Sequence, residues 1–161
     1  MRKQFATFRL DRQLFGIEVL LVREINQQMD ITPVQQALDY VRGLINLRGQ
    51  IITIFDLGVR LGLTPREITA DSHSVILKTE EELGPVRHRE GREDLRSCGD
   101  AVGLLVDKVG DVVEEEETEI EPRPANVGGV DGRFLSGVLK LEKDLLVLLD
   151  VKQVLGVEAQ A

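Results

Sequence analysis

The side chains most often recruited for covalent or acid–base chemistry are scarce in this chain. There are two histidines, His73 and His88, and one cysteine, Cys98. None is spaced with a serine, cysteine or aspartate in a recognisable nucleophile motif. No Gly-x-x-x-x-Gly-Lys phosphate loop and no Cys/His metal spacing occurs. Gly128-Gly129 and Gly132 follow Pro122 and Pro124 without opening a helix, so they read as a connector. The run Glu114-Glu115-Glu116-Glu117, with Glu119 and Glu121, is acidic, but consecutive residues do not converge on one cation. A solvated acidic edge that discourages aggregation is the better reading. No catalytic residue, cofactor or metal ion is therefore expected. Two charged residues invite a recognition role instead. Arg48 stands at a turn, Asn46-Leu47-Arg48-Gly49-Gln50, and Glu24 sits within Val22-Arg23-Glu24-Ile25, near a strand end. Either is compatible with simple solvation. Arg48 otherwise has two uses: meeting a partner's carboxylate, or pinning two halves of the molecule together.

The elements that must position these residues are short and mostly β. Phe5-Ala6-Thr7-Phe8-Arg9-Leu10 alternates, and Phe15 to Ile25, Leu44 to Leu47 and Ile51 to Leu57 are strand-length and rich in β-branched residues. Ser74 to Lys78, Val102 to Val113, Leu135 to Leu141 and Leu145 to Val151 follow the same habit. No long segment of 3.6-residue period appears.

An internal repeat organises these strands. Residues 41–62 align without a gap on 135–156, matching Gly43 with Gly137, Asp56 with Asp150 and Leu61-Gly62 with Leu155-Gly156. Upstream, Gly16-Ile17 pairs with Gly103-Leu104, and Ile31-Thr32-Pro33 with Ile120-Glu121-Pro122. Two related units follow, about 1–72 and 73–161. Asp56 and Asp150 each read as the N-cap of a short helix closed by Gly62 or Gly156. Each unit is then about five strands plus a short helix, and sheets this small avoid open edges by closing into barrels. The expected fold is mainly β: two small five-stranded barrels packed together, with short helices. One stretch has no counterpart. Where the first unit turns with Asp11-Arg12-Gln13, the second spends residues 80–100, eleven of them charged, which reads as a long, solvated, mobile loop.

Composition narrows the class. The chain has 161 residues, 20 Lys plus Arg against 28 Asp plus Glu, and a net charge of −8, which argues against a nucleic-acid binder. Residues 101–121 carry eight of the acidic residues and one basic one, so the remainder is close to neutral. No apolar run approaches the roughly 20 residues that span a bilayer. The amino terminus lacks a signal peptide's apolar stretch, and a single cysteine fits a reducing cytoplasm.

Arg42-Gly43-Leu44-Ile45-Asn46-Leu47-Arg48-Gly49 followed by Ile54-Phe55-Asp56-Leu57 resembles the CheW family of bacterial chemotaxis coupling proteins. Phe15-Gly16-Ile17-Glu18-Val19, Val102-Gly103-Leu104-Leu105-Val106-Asp107 and Ile120-Glu121-Pro122 extend the resemblance from about Gln4 to Gly156. It implies two SH3-like five-stranded β-barrels without enzymatic activity. It also implies cytoplasmic adaptors that bridge the tip of methyl-accepting chemotaxis receptors to the regulatory domain of the histidine kinase CheA, at arrays on the inner face of the membrane. Carried over by position, the receptor-facing set is Val22, Glu24, Gly43 and Arg48. The sequence departs from the family at the longer 80–100 stretch and at Gly58, where an arginine is frequent. Two other readings stay open: a CheW-like scaffold in a type IV pilus or other non-flagellar pathway, and a barrel that binds a small ligand or nucleic acid.

Overall fold

The computed structural model describes residues 1–27 and 30–156. The first unit supplies β1 (Arg2–Leu10), β2 (Gln13–Glu18), β3 (Val22–Asn26), β4 (Val41–Leu47), β5 (Gln50–Asp56) and helix α1 (Leu57–Arg60). The second supplies β6 (His73–Leu77), helix α2 (Glu80–Glu90), β7 (Val102–Val106), β8 (Lys108–Val109) and β9 (Val113–Glu116). It continues with a small hairpin, β10 (Asn126–Val127) and β11 (Val130–Asp131), then β12 (Leu135–Lys140), β13 (Leu145–Leu149) and helix α3 (Val151–Leu155).

Apart from the β10–β11 hairpin, these strands form two sheets of the same order. One runs β12-β13-β2-β1 and then β8 and β9, both on β1; the other runs β4-β5-β7-β6-β3. Replacing each strand by its repeat counterpart turns one list into the other. The parallel pairs also correspond: β13 with β2, and β5 with β7. The boundary expected near residue 72 is not a boundary between sheets, because each unit lends its first hairpin to the other's sheet. Exchange of β1-β2 for β6-β7 gives every barrel strands from both units, so neither half of the chain holds all the strands of either barrel.

Closure of each barrel is visible in a repeated detail. Thr32 bridges Leu44 of β4, and Glu121 bridges Val138 of β12. Beside each bridge a β-bulge breaks the register, at Val41/Gly43 and at Leu135/Gly137. Each interior is mostly aliphatic: Ile45, Ile52 and Ile54 in one barrel, and their counterparts Leu139, Leu146 and Leu148 in the other, where Phe5 joins them. The largest core lies between the barrels, where Phe8, Phe15 and Val147 meet Val75, Leu104 and Leu57. Each of these buried side chains stabilises the fold by about 1.5–3 kcal/mol.

The 80–100 stretch is not a mobile loop. Thr79 and Glu82 form a reciprocal capping box at the start of α2, and Gly91 closes it in the left-handed region. Leu83, Val86 and Leu95 enter the core between the barrels. The charged composition hid three buried apolar residues, and six charged residues in the helix itself are compatible with its docking. Beyond it, Arg92 is buried and donates to both oxygens of Glu18 on β2 and to both oxygens of Asp94, all at 2.8–2.9 Å.

Gly58 also gains a physical reason. A Cβ there would lie 2.4 Å from Nε of Arg66, whose buried guanidinium joins Asp11 at 2.9 Å and Asp107 at 3.1 Å. Those aspartates follow β1 and β7, so Arg66 ties the two sheets together from the segment between the units. An arginine at 58 and this placement of Arg66 exclude each other. Gly58→Ala is expected to cost about 1–3 kcal/mol by thermal melting, and much less in an Arg66→Ala background, because the two residues share one space.

Candidate partner-binding site

The turn that presents Arg48 needs two residues with positive φ: Arg48 at 52° and Gly49 at 85°. A two-residue hairpin of this hand matches the twist of its strands, but a non-glycine residue in the left-handed region costs roughly 1–2 kcal/mol. Asn46 steadies the turn, its Oδ1 accepting the Gly49 N–H at 2.9 Å. The strained residue points its guanidinium at Glu24 of β3, and the two form an ion pair. A glycine takes the second of these positions without strain, and the non-glycine Arg48 holds the first.

A bulge between Val22 and Glu24 sets Arg23 beside this pair, where sequence reading had given it no role. Arg23 donates to Oε1 of Gln50 at 2.6 Å and to both oxygens of Glu82 on α2, at 2.6 and 3.1 Å. Burial alone would raise the Glu82 carboxyl; hydrogen bonds from Arg23 and Thr79 outweigh it and hold the group below its ordinary value. The tip of the β4–β5 hairpin is thus clasped to β3 by Arg48–Glu24 and Gln50–Arg23, and β3 to α2 by Arg23–Glu82. The clasp lies within one barrel, so Arg48 does not pin the two barrels together. The Arg48 side chain remains 69% exposed, against 26% for Glu24, leaving guanidinium donors facing outward. Ile51 and Ile25, next to these charged residues, are exposed as well.

The other two predicted residues sit differently. Val22, on the same strand as Glu24, is half-buried against the core between the barrels. Gly43 is buried in β4, where a Cβ would lie 2.3 Å from the Thr32 carbonyl oxygen. It offers no surface to a partner and permits the close approach that seals the barrel.

The acidic run begins on the edge strand β9, continues beyond it, and is partly neutralised by the amino terminus. Arg2 meets Glu114 and Glu116, and Lys3 meets Glu117. Among the described residues no three His, Cys, Asp or Glu side chains gather as a metal site. Burial raises the Cys98 thiol, away from a reactive thiolate. No described helix is long and apolar enough to cross a membrane. The geometry offers a clasped, two-sign surface with exposed isoleucines, suited to holding another protein.

A CheW-like domain model matches residues 4–159. The chain belongs to the CheW family. Chemotaxis protein CheW of Rhizobium meliloti is 32% identical, with 94% of this chain and 86% of that protein aligned. The probable chemotaxis protein CheW of Rhizobium etli is 30% identical, over 93% and 85%. Among solved structures, the scaffolding protein TtCheW of Thermoanaerobacter tengcongensis superposes with a TM-score of 0.75 at 28% identity, covering 94% of this chain and 86% of that one. The two interlocked sheets are the CheW fold of two SH3-like barrels. CheW membership carries a chemotaxis adaptor or scaffold role.

Proposed function

We propose that this CheW-family chain is a non-catalytic adaptor that joins the cytoplasmic tip of chemoreceptors to the regulatory domain of the histidine kinase CheA, in arrays at the inner face of the membrane. In this reading Glu24 and Arg48 meet the receptor, Val22 supplies apolar contact beside them, and Gly43 keeps the barrel wall in place. The observation that carries the reading is the Arg48–Glu24 clasp. An exposed arginine held in a strained turn, on a carboxylate that uses only part of its donor set, is a preorganised recognition group. The reading covers flagellar and non-flagellar arrays alike.

Arg48→Glu is expected to weaken binding of a receptor cytoplasmic fragment by tenfold or more in titration calorimetry, while the melting temperature moves by a few degrees at most. An exposed pair contributes only about 0–1 kcal/mol to stability. The exchange variant Glu24→Arg/Arg48→Glu separates the roles. It can rebuild the clasp but presents the partner with reversed charge, so binding stays weak. Restored binding would make the clasp structural. A wild-type protein that binds neither receptor fragment nor kinase domain would remove the adaptor reading itself.

A further inference from the structure

The two barrels have the same strand order, so the place where they differ most in shape stands out. At the corner of the barrel containing β4 and β5, Arg42 reaches over the helix cap Asp56. Its Nη1 lies 3.2 Å from Oδ2 and 2.7 Å from the carbonyl oxygen of Arg66. The Arg66 N–H donates to the same Oδ2 at 2.9 Å. That corner is filled, and Asp56 is buried.

In the other barrel the counterpart of Arg42 is Ser136, and the counterpart of Asp56 is Asp150. Asp150 still caps its helix, Oδ1 accepting from the backbone of Lys152 and Gln153 at 3.1 and 3.4 Å. Among the described residues no guanidinium or ammonium group pairs with it. In place of the arginine there is a groove of about 430 Å³, lined by the buried Phe5, Ile17, Leu148 and Val151 and by Ser136 and Asp150. The rim carboxylates are otherwise engaged: Glu18 and Asp94 by Arg92, and Glu117 by Lys3. Arg96 and Lys152 also line the groove; they are exposed and form no ion pair among the described residues.

We propose that this groove takes an arginine from a protein partner, which lies over Ser136 and pairs with Asp150 as Arg42 pairs with Asp56. The occupant's chemistry follows from the charges around it. Its arginine stands on an apolar face that covers the floor, with carboxylates to either side that meet Arg96 and Lys152. Such a pair forms charge-assisted hydrogen bonds, stronger than those between neutral groups. The proposal deepens the adaptor reading and rests on it: this is a second face, built on the sheet opposite to the Arg48 clasp.

Two substitutions test it, each against the receptor cytoplasmic fragment and the kinase regulatory domain in separate titrations. Ser136→Arg supplies the arginine from within and fills the corner. Asp150→Asn keeps a good helix cap and removes the charge. Both are expected to weaken binding of one of the two partners by about tenfold or more, leave the other unchanged, and hold the melting temperature or, for Ser136→Arg, raise it. Should Ser136→Arg fail to fold, Asp150→Asn decides alone. Wild-type affinity for both partners in both variants would overturn the proposal. So would tighter binding in Asp150→Asn, the mark of an acidic occupant. A change in melting temperature for Asp150→Asn without any change in binding would likewise assign the groove to the chain's own residues, and loss of self-association alone would assign it to a second copy. If the unaltered protein binds neither partner, it is the adaptor reading that fails.

Discussion

Gly43→Val is expected to destabilise the protein by about 3–4 kcal/mol, lowering its melting temperature by roughly 10 °C for a domain of this size. Two independent costs combine. At φ 149° the backbone lies where residues with a side chain are rarely found, and the new Cβ would sit 2.3 Å from the Thr32 oxygen and 2.8 Å from Ile31. The Thr32 carbonyl accepts the Leu44 N–H, and the Thr32 N–H donates back, both at 2.8 Å. Displacing Thr32 therefore breaks the bridge that seals the barrel. Gly49→Ala supplies the comparison, since that position also has positive φ but open space around it. It should lose only about 1 kcal/mol. Equal melts for the two variants would show that the close approach carries no weight. Gly137 repeats the arrangement in the other barrel, a Cβ there lying 2.6 Å from Ile120 and 2.8 Å from the Glu121 oxygen.

This pair of glycines shows what the sequence made legible. The alignment of Gly43 with Gly137, Asp56 with Asp150 and Ile31-Thr32-Pro33 with Ile120-Glu121-Pro122 corresponds to equivalent bulges, helix caps and closing bridges. Such features are local, and each constrains residue type at its own position. What the alignment did not carry was which unit's hairpin pairs with which unit's sheet. Exchange leaves every local environment nearly the same, so the one-dimensional pattern is silent about it. The same logic explains Arg23: its reach to Gln50 and Glu82 depends on a bulge and on a helix far away in the chain. Arg92 was hidden differently. A run of charges looks solvated until one learns that a guanidinium in it has found two carboxylates, and no periodicity announces that.

Removing the Arg92 guanidinium, as in Arg92→Ala, is expected to cost about 3–5 kcal/mol, the range for breaking one side of a buried ion pair. The Arg92 side chain is 8% exposed and Glu18 17%, so loss of the cation strands a carboxylate on β2 facing the groove. Leu95, three residues on and buried in the core between the barrels, loses its anchor at the same time. Urea denaturation should show the loss, and limited proteolysis should cut the 91–97 segment first. Wild-type resistance to cleavage with a shift under 1 kcal/mol would mean that Leu83 and Val86 hold the arm without Arg92. Acid gives a second view of the latch. Hydrogen bonds from Arg92, opposed by burial, hold the Asp94 carboxyl at about 2, below its ordinary 3.8. A carboxyl with a depressed folded value adds stability that is complete above the unfolded value and disappears as pH falls through the folded one. Its share is therefore lost between about pH 4 and 2. Asp94 is 62% exposed, so solvent screening reduces that share to well under the ideal linkage value, about 1 kcal/mol or less. Asp94→Asn should flatten this acid limb without opening the arm, because Glu18 still receives both donors of the fork. Arg92→Ala should do both, and that difference distinguishes the deep partner of the latch from the exposed one.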